Sequence, residues 1–423
     1  MKTSSRLLVT LASAGICCLS VRAVWACTTF LASHAGQPVF GKDYDWDTGA
    51  GLVTINPRGL EKSALTTSSA ETPATWTAKF GSITFNQYGI EMPNGGLNEQ
   101  GLAVEIMWLA STQYPPPDSR PVVNELQWIQ RALDLFATVD ELALDAPKVR
   151  VSRVYGNVHY LACDARADCA SFEYIDGKLV VTRGSSMPAK TLANDTYADS
   201  VRYLATFAGF GGTEDMPWTT SSLDRFARAS ILAQATDGTT VPDSAFTILE
   251  GVANWSTVWS IVYVPTTGIA YFRTAAMPKV KSASLTSFSL GCGTRKVLDI
   301  DTDASGDVGA TFADYSQVAN RQLLVRSTVA MDLQRLPAGF VDLLVAYPDG
   351  IHCGADTGDS RDSDAARTPT ADGGAAPHTS GGSSCSVATH DLRPGSCPTG
   401  PLLVLGMAVR RTWRRSRAKA RSR

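Results

Sequence analysis

The sequence predicts an α+β fold of two antiparallel sheets packed face to face under outer helices. Three observations carry this. Residues 27 to about 110 break into short β-rich runs bounded by Gly or Pro. The period then becomes helical, with Leu126, Ile129, Leu133 and Phe136 on one face. Strand-like hairpins return at 158–174 and 258–273. Strands, helices, strands, helices, strands is the order of a layered sheet-on-sheet domain, because each sheet has an apolar face to bury.

In chain order, residues 27–31, 38–46, 52–56 and 78–85 read as strands. Residues 94–101 (NGGLNEQG) read as a turn, followed by a buried-type run over 102–109. After the first helix, Thr138 and Glu141 form a capping box for a short second one, each side chain satisfying a backbone group. Strands at 158–162 and 170–174 flank Asp164–Asp168, and 179–182 continues their sheet. Asn194-Asp195-Thr196 caps a helix running to about Phe207, and 223–235 and 243–253 are further helices. Residues 258–264 and 268–273 close the pattern as a hairpin. Gly209-Phe210-Gly211-Gly212 lacks the flanks of a phosphate loop and reads as a turn.

Hydrophobic content of 44% and a formal charge of −2 over 423 residues suit a globular core and exclude a global basic bias toward nucleic acid. The first 26 residues have the parts of a secretory signal: Lys2 and Arg6, an apolar stretch over 7–19, and Val24-Trp25-Ala26 as cleavage site. Export to the periplasm, cell surface or medium follows. The competing reading is a lipoprotein or binding module with Cys27 as lipidated anchor; Trp25 fits that signal poorly. Beyond residue 26 seven cysteines remain, an odd number. Cys163–Cys169 and Cys385–Cys397 pair locally, Cys292–Cys353 takes the third bridge, and Cys27 is left over.

The expected domains are a signal peptide at 1–26, a folded domain at 27–354, a linker at 355–384 and a tail at 385–423. The linker has no aliphatic or aromatic residue larger than alanine and cannot build a core. In the tail, cysteines precede a nine-residue apolar run and an arginine cluster. Nine residues are too few to span a bilayer. The order resembles the sorting tails of myxobacterial exported proteins, and a basic tail resting on anionic lipid is the other reading. Either gives an association with membrane or sorting machinery.

Cleavage after Ala26 would leave Cys27 with a thiol and a free α-amine, a nucleophile and its own base on one residue. A thiol attacking a carbonyl needs a proton acceptor and a holder for the oxyanion. Histidine is the usual acceptor, but His34 falls in an expected turn and His159 in a strand, with no local dyad signature. An α-amine with a reference pKa of about 7.7–8 removes that need.

At this point the residues resemble a known family. Cys27-Thr28-Thr29-Phe30, then Phe40-Gly41-Lys42-Asp43-Tyr44-Asp45-Trp46, then Leu97-Asn98-Glu99-Gln100-Gly101-Leu102 are similar to the choloylglycine hydrolase and penicillin V acylase family. The resemblance runs with gaps from Cys27 to about Phe272. It implies a four-layer αββα sandwich, the N-terminal nucleophile hydrolase fold, and hydrolysis of linear N-acyl amides. It further implies no cofactor or metal, and a homo-oligomer.

By that resemblance Cys27 is the nucleophile, Asp45 orients the α-amine, Asn194 lines the oxyanion hole and Arg225 stands beside the thiol. Asn194 also suits a helix N-cap, and Arg228 reads as a helix-surface charge. Two positions depart from the commoner pattern. Lys42 replaces an arginine and loses its planar fork. Trp108 replaces an asparagine, leaving its backbone N–H for the oxyanion and an indole that suits aromatic or aliphatic acyl groups. That moves the expected substrate from conjugated bile acids toward penicillin V-like amides and N-acyl homoserine lactones. An inactive relative that keeps the fold is a further alternative. Asp301, Asp303, Ser305 and Asp307 copy the front of a calcium loop, but Phe312 stands where a bidentate Glu belongs, so this reads as a polar turn.

Overall fold

A computed structural model describes residues 27–34, 36–235, 241–330 and 339–354. The expected signal segment, the linker, the tail and the Cys385–Cys397 pair lie outside the described residues.

Among the described residues the two large sheets have seven and nine strands, and a two-stranded and a three-stranded sheet lie beside them. The first places Thr28–His34 beside Gln37–Asp45, then Thr257–Val264 and Ile269–Thr274. The second centres on Val158–Cys163, Ala103–Trp108, Pro93–Asn98, Ser82–Asn86 and Leu52–Asn56. The nine-stranded sheet is antiparallel throughout. The other ends in a parallel pairing of Lys281–Ser284 with Gly306–Asp307, an exception to the expected pattern.

Period-2 alternation sorts the Gln37–Asp45 strand. Phe40 and Tyr44 face the core shared with the second sheet, while Val39 packs under the helix side with Phe30, Phe246 and Leu249. Phe85 of the second sheet meets Tyr263 and Phe272 of the first edge-on, at 5.9 and 5.4 Å between centroids. Outside, Ser222–Ala235 lies on the Thr28–His34 strand and Asp243–Val252 on Gln37–Asp45. Glu125–Leu135 covers the far side of the second sheet.

Further details differ from the sequence reading. The expected strand at 78–85 begins only at Ser82 and runs to Asn86, and a separate short strand lies at Thr75–Thr77. Pro93–Asn98 is a buried strand, so the turn shrinks to the residues just after Asn98. The helix after residue 194 is capped by Thr196, whose side chain accepts from the Asp199 N–H, and it ends at Leu204. In the capping box, Glu141 reaches back to the N–H of Ala137 rather than that of Thr138. Arg228 is buried, donating to the carbonyls of Gly251, Pro217 and Thr219, and so closes the C-terminal end of Asp243–Val252.

Cys163–Cys169 and Cys292–Cys353 are bridged, and Cys27 is the free cysteine among the described residues.

Candidate active site

Cys27 lies at the start of the Thr28–His34 strand, 2% exposed, with Sγ 3.9 Å from the backbone oxygen of Asp45. Register pairs Thr28 with Asp43 and Thr29 with Lys42, so Cys27 stands at the end of the strand pair where Asp45 emerges. Burial pushes the Cys27 thiol up; the Lys42 charge opposes this most, Asp45 adds to it, and Arg225 also pulls down. The thiol proton is therefore held on.

Asp45 is fixed from the turn before the Thr257–Val264 strand and from the first residue of that strand. Asn254 Nδ2 donates to its Oδ2 at 2.6 Å, and Thr257 Oγ1 donates to its Oδ1. Burial raises its carboxyl above the ordinary range, while Thr257, the Arg225 charge and Asn254 pull it back.

Arg225 is fully buried and joins three parts of the site. Nη1 donates to the Cys27 carbonyl at 2.7 Å and to Thr28 Oγ1, and Nη2 donates to Asn194 Oδ1 at 2.8 Å. It grips the carbonyl of Cys27, and its charge acts on the sulfur from there.

Asn194, freed from helix capping by Thr196, donates from Nδ2 to the Trp108 carbonyl at 2.8 Å. Its own N–H donates to Ser222 Oγ at 2.8 Å. Trp108 ends the Ala103–Trp108 strand, half-buried, with its ring 6.3 Å from that of Trp46. Its indole leans on Gly156, where a β-carbon would come within 2.5 Å of the ring, so only glycine leaves room. Lys42 is buried between the sheets and reaches the Ile106 carbonyl. Cys27, Lys42, Asp45, Trp108, Asn194 and Arg225 are thus linked into one region by direct contacts or by charge.

Sequence reasoning missed the supports of this region. His159 donates from Nε2 to the Ala193 carbonyl at 2.8 Å and faces Glu173 with Nδ1 at 3.1 Å, which fixes the segment before Asn194. His34 ends a strand rather than lying in a turn, and its Nδ1 meets Ser244 Oγ at 3.0 Å. Both histidines are engaged away from the thiol. Glu125 accepts from the N–H groups of Val154, Tyr155 and Gly156 at 2.9–3.0 Å, holding the loop behind Trp108. In sequence it reads only as an acidic first-turn residue suited to a helix dipole. Asn254 and Thr257 carry no local signal at all.

The Asp301–Asp307 turn spends its carboxylates on protein: Asp301 accepts from Thr274 Oγ1 at 2.6 Å and Asp303 pairs with Lys279 at 3.4 Å. No group of residues suited to a metal ion is present among the described residues.

No family model matches the chain. A penicillin V acylase from Pectobacterium atrosepticum is 30% identical over 226 residues, which is 48% of this chain and 59% of that relative, less than two thirds of its length. The structure of penicillin V acylase from Agrobacterium tumefaciens aligns with a TM-score of 0.62 at 29% identity, covering 69% of this chain and 98% of that one. A variant of conjugated bile acid hydrolase from Clostridium perfringens aligns at 16% identity and a TM-score of 0.55, over 64% of this chain and 97% of that one, and shares the fold. The stacked antiparallel sheets between helices are those of an N-terminal nucleophile hydrolase, and in sequence and fold the chain is similar to the penicillin V acylases.

Proposed function

We propose that the protein is an exported cysteine amidase that hydrolyses a linear N-acyl amide. The observation that carries this is the free, buried Cys27 with Arg225 on its carbonyl and Asn194 tied to both Arg225 and Trp108. Removal of residues 1–26 would expose the α-amine of Cys27. The amine, oriented by Asp45, takes the thiol proton as sulfur attacks the amide carbonyl. Asn194 and the backbone at Trp108 hold the oxyanion. The amine returns the proton to the leaving nitrogen as the C–N bond breaks, leaving a thioester. Water then attacks the thioester, giving the free acid and the thiol.

The half-buried Trp108 and the neighbouring Trp46 supply aromatic surface for an acyl group. This favours phenoxyacyl amides such as penicillin V and N-acyl homoserine lactones over conjugated bile acids. Residues 27–354 would form the amidase domain, 355–384 a linker, and 385–423 a tail that meets membrane or sorting machinery. A homo-oligomer is the assembly that the family resemblance favours.

The test is turnover of those three amide classes by the exported protein and its Cys27→Ser variant, with intact mass of the N-terminus. A free Cys27 and loss of most turnover in the variant support the proposal. Undiminished turnover overturns the mechanism, and a diacylglyceryl adduct on Cys27 supports an anchor instead.

A further inference from the structure

Lys42 and Glu105 face each other across the gap between the two sheets. Lys42 Nζ lies 3.8 Å from Glu105 Oε2, and the two side chains are 1% and 2% exposed. The ammonium also reaches the Ile106 carbonyl and sits 3.4 Å from Met107 Sδ and 5.9 Å from the centre of the Tyr44 ring. Glu105 Oε1 accepts from the Tyr263 hydroxyl at 2.6 Å. Its cross-strand neighbour is Gly95, where a β-carbon would fall 2.1 Å from the carboxyl group. A notch that only glycine leaves open therefore seats the carboxyl beside the lysine.

A buried ion pair is weak evidence for stability, since desolvation costs about as much as the attraction returns. This one has a second connection: among the influences on the Cys27 thiol, Lys42 is the largest that opposes burial. We propose that Glu105 is a positioning residue of the amidase site, clamping the Lys42 ammonium in the sheet gap and setting how much of its charge the Cys27 sulfur feels. This rests on the reading of Cys27 as nucleophile.

The groups around the pair limit what else could act. Glu105 is faced by Lys42 and Tyr44 from one strand and Tyr263 from another. Cys27 is faced by Lys42, Tyr44 and Asp45, by Arg225 from the helix above, and by Tyr88. Burial raises the Glu105 carboxyl to about 7, against the pull of Lys42 and Tyr263. Below that pH Glu105 is neutral and the lysine acts on the sulfur undiminished. Above it the carboxylate offsets the lysine and the thiol becomes harder to ionise.

The experiment is the pH dependence of ultraviolet thiolate absorbance in the full chain, each variant read against its own Cys27→Ser counterpart. Glu105→Gln fixes the neutral state with the same shape. We expect it to lower the apparent thiol pKa by about one unit, a tenfold rise in thiolate fraction on the acid side. In a Lys42→Met background the same change should have a smaller effect, because without the lysine the buried Glu105 carboxyl stays neutral to higher pH. Tyr263→Phe, which keeps the packing and removes one donor to the carboxylate, should move the thiol in the same direction by less, and serves if Glu105→Gln does not fold. A thiol titration that superimposes on wild type in Glu105→Gln, or in Tyr263→Phe where that stands in, overturns the proposal. Amide turnover is not part of this readout, so it fails separately from the amidase assignment.

Discussion

Arg225 and Asn194 meet through a 2.8 Å bond from Nη2 to Oδ1, and that bond decides which end of the amide faces the site. With the oxygen taken by the guanidinium, the nitrogen is turned toward the Trp108 carbonyl, to which it donates. The same guanidinium holds the Cys27 carbonyl, so Cys27 and the Asn194 amide share one support.

Arg225→Lys keeps the charge but cannot hold both partners. The Asn194 amide would then be free to turn. Loss of one oxyanion donor costs about 10²–10³ in kcat. We expect a fall of that size in kcat with KM little changed, measured by steady-state kinetics on protein whose thermal melt remains a single transition. A rise in KM at constant kcat would contradict the role.

Thr257→Val removes one of the two side-chain donors on Asp45. Hydrogen bonds to a carboxylate favour its charged form, so losing one raises a carboxyl that burial already holds high. In the proposed mechanism Asp45 is ionised to orient the α-amine, so the acid limb of kcat/KM should move up, by about one pH unit. An unmoved acid limb would show that Asp45 does not govern it.

Glu125→Met leaves the backbone N–H groups of Val154, Tyr155 and Gly156 without their acceptor. Stability should drop by about 2–3 kcal/mol, the scale of unsatisfied buried donors, read from the denaturant midpoint. Because Gly156 backs the Trp108 ring, KM should rise more than kcat falls.

The two described bridges differ in the loop they close. Cys163–Cys169 spans 6 residues and Cys292–Cys353 spans 61. Loop entropy assigns about 2 kcal/mol to the first and about 4 to the second. Replacing each pair by alanine should therefore lower the denaturation midpoint more for Cys292–Cys353, and equal losses would speak against an entropic origin.

Much of the molecule was legible before folding was considered. Leu126, Ile129 and Leu133 marked a helix, because one stripe must be buried, and the structure buries all three. Ala103–Trp108 emerged from an apolar run, since a strand covered on both faces has no alternation to show. Residues 94–98 read as a turn in sequence because Asn and Gly usually mark turns. Here the glycines serve the strand, with Gly95 making room for Glu105. Asn194 suited two roles by residue type, and only Thr196 taking the cap left it for the site.

What the sequence determined by itself was local: which runs are strands or helices, which faces are apolar, and which short motifs surround Cys27. What the tertiary structure decided was partnership. Arg225 meets Cys27 from 198 positions away, Asn254 meets Asp45 from 209, and Lys42 finds Glu105 only where two sheets stack. Periodicity acts between neighbours along the chain. Hydrogen bonds and charge act between neighbours in space, and packing of the layers alone chooses those.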